Sequence, residues 1–278
     1  MLNIKYSGIY KSEKQLKQRE TDMEKGNPFI ETDRIGVMFF KGFIISLPLL
    51  IGIFSFSIAA MIGKCIISGE KIPFLAFSMI IAACIAELLQ FIHELVHAVF
   101  FPKQAMKEIY YTKGTIALFV YCTAEVSKTR FIVMSLAPEI LLGIIPTFVG
   151  ILLNRYLPCR FFLVWMFCSL SAVLMGIGDN YNVYNAVNQV PAGSMIFNNG
   201  LHSYWKEKQT VKENVNSRQV LSILMMSVGL LFMSQYTFFS FFIMCASIFT
   251  AMFTNKKICR LVIWINCFFI LYLAVVNL

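Results

Sequence analysis

Three side chains able to do chemistry stand together in an otherwise apolar stretch: His93, Glu94 and His97, in the run His93-Glu94-Leu95-Val96-His97. On a helix, residues four apart sit one turn above each other, with about 5–6 Å between their Cβ atoms. Two imidazoles so placed can reach one Zn2+ at about 2.0–2.1 Å. Glu94 lies three residues before His97, on an adjoining part of the same face. There it can hold a zinc-activated water and accept its proton. H-E-x-x-H is the spacing of metal-dependent hydrolysis, and it takes up two of the three histidines in the chain. Ionisable groups inside apolar runs are costly and mark function. The competing reading is a buried polar cluster that ties helices together.

A catalytic zinc takes three protein ligands and keeps one position open. Asp179 is the candidate third ligand, with Gly176 and Gly178 beside it allowing close helix approach. His202, in the region that follows, is its rival. Glu87 lies seven residues before Glu94 on the same helix face, with Gln90 between, and Glu139 follows Pro138. Each is suited either to orienting a ligand or to bracing a neighbouring helix. Asn180, Asn182 and Asn185 are placed to bind substrate backbone or to form turns.

The elements that must position these residues follow from composition. Of 278 residues 58% are hydrophobic and only 14% charged, against about 45–50% and 25% in soluble domains. The bilayer is therefore the expected solvent. A spanning helix needs about 20 mostly apolar residues. On that rule spans fall near 42–63, 73–101, 131–153 and 160–178, with a polar loop over 179–218. The run 220–253 is too long for one span and is read as two, and a last span covers 258–276. The expectation is an all-α polytopic membrane protein of about seven transmembrane helices, with six as the alternative count. A small β-hairpin between helices 2 and 3 is expected from the β-branched and aromatic runs 109–112 and 115–126 around Lys113-Gly114. The chain divides into a polar N-terminal tail (1–41), a membrane core carrying the H-E-x-x-H helix (42–218) and C-terminal transmembrane helices (219–278).

The net charge of +9 is scattered between apolar runs, so it argues for topology and against nucleic acid as a partner. With the N-terminus inside, 20 of the 24 Lys and Arg fall on the cytoplasmic side, leaving Lys64, Lys71, Arg155 and Arg160 outside. That asymmetry predicts a multi-pass cell-membrane protein with a cytoplasmic N-terminus, and it brings Asp179 to the side where His93 and His97 lie. No apolar stretch with a small-residue cleavage site opens the chain, so no cleaved signal is expected. The eight cysteines form no CxxC pair and are read as packing thiols rather than disulfides or zinc ligands.

The H-E-L-V-H segment, Ser135-Leu136-Ala137-Pro138, Gly178-Asp179-Asn180-Tyr181-Asn182 and Pro191–Gly193 together resemble a family of bacterial membrane proteins regarded as zincin peptidases. That family is similar to the site-2 protease class of intramembrane metalloproteases. The resemblance covers roughly 72–205. It implies that His93, His97 and Asp179 bind zinc and that Glu94 is the catalytic base. In site-2 proteases Gly usually follows the Asp, where this chain has Asn180. The function expected is that of an integral-membrane zinc metallopeptidase cutting a membrane-associated protein or peptide near the cytoplasmic face. The alternative is a non-catalytic membrane protein of transport, assembly or immunity type with a structural metal.

Overall fold

A computed structural model describes residues 3–17, 26–32, 34–70, 72–113 and 117–207, together with Met225, Met244, Ser247, 261–266 and Phe269. Four helical segments in it are long and apolar enough to cross a membrane: Ile35–Ser68, Phe74–Phe100, Lys128–Leu152 and Cys159–Gln189. By this measure the chain is a membrane protein. The first span is helix α1 (Ile35–Ser68) and the second α2 (Ile72–Phe100), with Pro73 in its first turn, where the missing N–H costs nothing. The third is α3 (Lys128–Pro138), a π-helical segment Glu139–Ile144, and α4 (Ile145–Leu152). The π-helical segment occupies the turn before Pro146, whose missing N–H breaks the regular bonding there. The fourth is α5 (Cys159–Met175) and α6 (Ile177–Gln189), meeting at Gly176. The further spans expected over 220–276 lie outside the described residues, apart from the scattered helical positions named above.

Two expectations need correction. Helix α1 begins at Ile35 rather than at 42, so the expected tail boundary falls inside it. The segment after Gly178 is helix and then hairpin, not a loop. Asn and Gly weaken the helical propensity of 177–189, but Tyr181, Val183 and Ala186 are buried where α6 packs on α1 and α3. Tertiary burial overrides the local preference.

Two small sheets make the protein less purely helical than expected. In the first, β1 (Ile4–Tyr10) runs parallel to β3 (Lys107–Thr112), and β3 pairs antiparallel with β4 (Ala117–Tyr121). The expected hairpin between helices 2 and 3 is thus present, with β4 shorter than expected, and the tail adds a third strand to it. The second sheet has the order β2-β7-β6-β5, from Asn27–Pro28, His202–Lys206, Met195–Asn199 and Val126–Ser127. Its β6–β7 turn starts at Gly200 with φ +61°, a conformation glycine adopts without a Cβ penalty.

Every strand adjoins the same end of the helices: the starts of α1 and α3 and the ends of α2 and α6. At the opposite end Arg160 pairs with Glu70 at 3.1 Å, and the Lys64 ammonium donates to the Asn154 carbonyl at 2.6 Å. The main core joins Leu49 and Ile53 of α1 to Phe148, Phe162, Met166 and Val183, and also takes in Met244, Val262 and Ile263. A second cluster, Phe29, Phe101, Phe131, Met134 and Ile196, lies where the helices meet the second sheet.

Candidate metal centre

Helix α2 ends at Phe100, so His93 and His97 occupy its last two turns at the sheet end. Both rings are buried. Their Nε2 atoms face each other at 3.1 Å, four residues apart, as a single helical turn dictates. Asp179, in the first turn of α6, points its carboxylate between them. Its Oδ2 is 3.0 Å from His93 Nε2 and 3.3 Å from His97 Nε2. The donor atoms of Glu94, His93 and His97 lie within 4.8 Å of one another.

The tautomer of His97 follows from its other nitrogen. Nδ1 is 2.9 Å from the Met134 carbonyl oxygen, which can only accept. Nδ1 therefore carries a proton, and Nε2 is the nitrogen turned to the cluster. His97 Nε2, the Asp179 carboxylate and His93 Nε2 converge in a buried space. Electron-rich atoms so close, away from water, need shared protons or a cation between them. Ligands of a tetrahedral zinc at about 2.0–2.1 Å lie about 3.3 Å apart. The spacings here fit that donor set, two imidazoles and one carboxylate, so the cluster could hold a metal ion. His93 Nδ1 is buried with no hydrogen-bond partner among the described residues.

Glu94 is held by backbone. Its Oε2 accepts from the Val120 N–H at 2.8 Å. Val120 sits opposite Ile109 in the β3–β4 pair, and β4 is an edge strand. Since the Val120 N–H turns away from β3, its carbonyl and the backbone groups of Leu118 do the same, by the two-residue alternation of an antiparallel strand. An edge with no partner strand among the described residues thus runs beside the metal cluster, its Val120 N–H taken by Glu94 and its Val120 carbonyl and Leu118 groups turned outward.

A cavity of about 530 Å³ contains all of this. Its walls include Gln90 and Glu94 of α2, Leu118 and Val120 of β4, Ser135 of α3 and Asn182 of α6. The tail and the β6–β7 hairpin roof it. Glu13 Oε1 accepts from the Leu201 N–H at 3.1 Å, and Glu31 from the Ser203 N–H at 2.9 Å. The Tyr121 phenol donates to the Lys17 carbonyl at 2.6 Å and accepts from the Gly200 N–H at 3.2 Å. Burial pushes the Tyr121 pKa up to about 12, which keeps its proton for that donation.

The structure therefore brings together His93, Glu94, His97 and Asp179, and sets the other candidates apart. His202 lies on β7 with its Nδ1 3.6 Å from Glu31 Oε1, outside the converging donors. Asn180, the departure from the Asp-Gly pattern, is buried and donates from Nδ2 to the Ser46 hydroxyl of α1 at 3.0 Å. It ties α6 to α1 one residue beyond Asp179. Glu139 is fully buried against Gly176, with the Asn180 side chain beside it, and lies outside the converging donors. Glu87 is exposed, with Gln90 Nε2 at 3.4 Å. Sequence reasoning missed the Val120 amide, the Met134 carbonyl and the roof. The first two are backbone groups that no residue type betrays.

Fold and site together define a helical membrane protein with a candidate metal centre where the helices meet the sheets. Residues 87–195 match a family model described as "Putative zincin peptidase". The match takes in roughly two-fifths of the chain, including all four clustered residues, and supports a zincin-like metallopeptidase. No curated protein and no solved structure gives a match.

Proposed function

We propose that the protein is an integral-membrane zinc endopeptidase of site-2 protease type, acting at the cytoplasmic face on membrane-associated proteins or peptides. The observation that carries this reading is the convergence of His93 Nε2, His97 Nε2 and Asp179 Oδ2 within 3.0–3.3 Å of one another beside Glu94. His93, His97 and Asp179 are the zinc ligands. Zinc, when bound, supplies Lewis acidity for water and for the scissile carbonyl.

The chain's own groups do the rest. The Met134 carbonyl fixes the His97 ring so that Nε2 stays aimed inward. Glu94 takes a proton from the attacking water and passes it to the leaving amine. The Val120 N–H holds the Glu94 carboxylate in place beforehand. The outer edge of β4, through the Val120 carbonyl and the Leu118 backbone groups, pairs with an extended substrate segment, so that unwinding a substrate helix and aligning its backbone occur together. The buried cluster and the roof above it keep bulk water low around the reacting groups.

The test is Glu94→Gln in purified full-length protein. Bound zinc should persist by elemental analysis while proteolysis falls by about 1,000-fold, the middle of the 10²–10⁴ range typical of losing a proton-transfer group. Proteolysis at the unmutated rate would refute the mechanism.

A further inference from the structure

Helix α2 also carries polar side chains that the metal centre does not use. Among the described residues little covers its surface: only 11% of its most apolar window is buried. Phe77, Ile80, Cys84, Glu87 and Phe91 recur every three or four residues, a spacing that makes one stripe along a helix. All five are exposed, Phe77 by 60%, Ile80 by 62% and Phe91 by 43%. One carboxylate interrupts this apolar stripe. Glu87 lies about midway along Ile72–Phe100, about 20 Å from either end at 1.5 Å per residue. Among the described residues its one hydrogen-bonding neighbour is the Gln90 amide, 3.4 Å away on the same helix.

We propose that this face of α2 is the docking surface for a transmembrane helix of the substrate, one bearing a lysine or arginine at mid-bilayer depth that pairs with Glu87. Calling the partner a substrate rests on the peptidase reading; the docking itself does not. A carboxylate facing hydrocarbon has no water to hydrogen-bond it, and a cationic donor brought in by a neighbouring helix is its complement in charge and hydrogen bonding. The three-four spacing of the apolar residues around it presents the ridge that helix packing uses.

Position links this surface to the metal cluster. Gln90 lines the cavity, and Glu94 follows Glu87 by seven residues, nearly in line with it on the helix. That separation is about 10 Å along the axis. A docked helix would thus deliver its sheet-end turn to the cavity mouth, where the β4 edge lies. The bond cut would be about 10 Å from the basic residue, which is about three residues if the intervening chain is drawn out into a strand.

The experiment uses full-length Glu94→Gln protein in phosphatidylcholine vesicles, so that cleavage does not enter. Energy transfer is measured to a labelled synthetic transmembrane peptide of Leu and Ala with one central Lys, and to its twin with Leu there. The Lys peptide should associate at least about tenfold more strongly. Glu87→Leu and Glu87→Gln should each erase that preference, with zinc content and melting temperature unchanged. Equal association of both peptides, or a Lys preference that survives Glu87→Leu, overturns the proposal. So does energy transfer between two labelled copies of the protein that Glu87→Leu abolishes, which would make the face a contact between copies. Failure of the peptidase reading would show instead as absent zinc or undiminished proteolysis in the Glu94→Gln protein.

Discussion

Without the Asp179 carboxylate, two imidazoles would face each other at 3.1 Å with only Glu94, already held by the Val120 N–H, as an anion beside them. Asp179→Ala should therefore weaken zinc binding by at least about 100-fold, the upper end of what losing a mere partner of a ligand costs. His202→Ala should leave affinity unchanged, because His202 neighbours Glu31 rather than the cluster. Competition against a chromophoric chelator measures both. The opposite ranking would return His202 to the ligand set. At this scale the sequence was informative where chemistry depends on residue type and helical spacing, as with His93, Glu94 and His97. Asp179 stands 82 positions or more further along, so its place beside them depended on how two spans run, which charge asymmetry indicated. The amide of Val120 that grips Glu94 could not be read at all, since every residue but proline carries one.

Helix α6 reaches the cluster because α1 lets it approach. A Cβ built on Gly42 would collide with the Ile177 carbonyl, two residues before Asp179 and in the same first turn of α6. In a bilayer, helices associate through such close contacts rather than through exclusion of water. Gly42→Ala should push α6 away from α1 and cost about 1–3 kcal/mol, the usual penalty for overpacking. Zinc affinity should fall with it. Gly36→Ala and Gly63→Ala, on the same helix but with open space around them, serve as controls and should change neither melting temperature nor affinity. Equal loss in all three would locate the effect in α1 itself rather than in its packing. The long apolar spans were legible because hydrocarbon demands about 20 apolar residues in a row. Polar elements were not. Asn199-Gly200 is a strong hairpin signal and does open the β6–β7 turn, yet the polar composition around it read as loop. Strand β1 escaped notice because its partner β3 lies about 100 residues away, beyond any local pattern.

Across the whole molecule the strands, the roofed cavity and the N-terminal tail share one end, while Glu70, Asn154 and Arg160 mark the other. The sheet end carries Lys5, Lys11, Lys14, Lys17, Lys103, Lys107, Lys113, Lys128, Arg130 and Lys206, whereas among the described residues the far end has Lys64, Arg155 and Arg160. Basic residues near span ends are retained in the cytoplasm, so the sheet end and the metal cluster should lie inside. In a chain whose own cysteines are replaced by alanine, Tyr156→Cys lies at the far end at a position 82% exposed, and Lys5→Cys lies in β1. A membrane-impermeant maleimide should label Tyr156→Cys in intact cells and reach Lys5→Cys only after permeabilisation. The reverse pattern would put the cavity outside. Because the cluster lies in the last two turns of α2, about 10 Å or less from its sheet-side end at 1.5 Å per residue, the labelling also fixes the compartment from which water enters and into which a cut fragment is released.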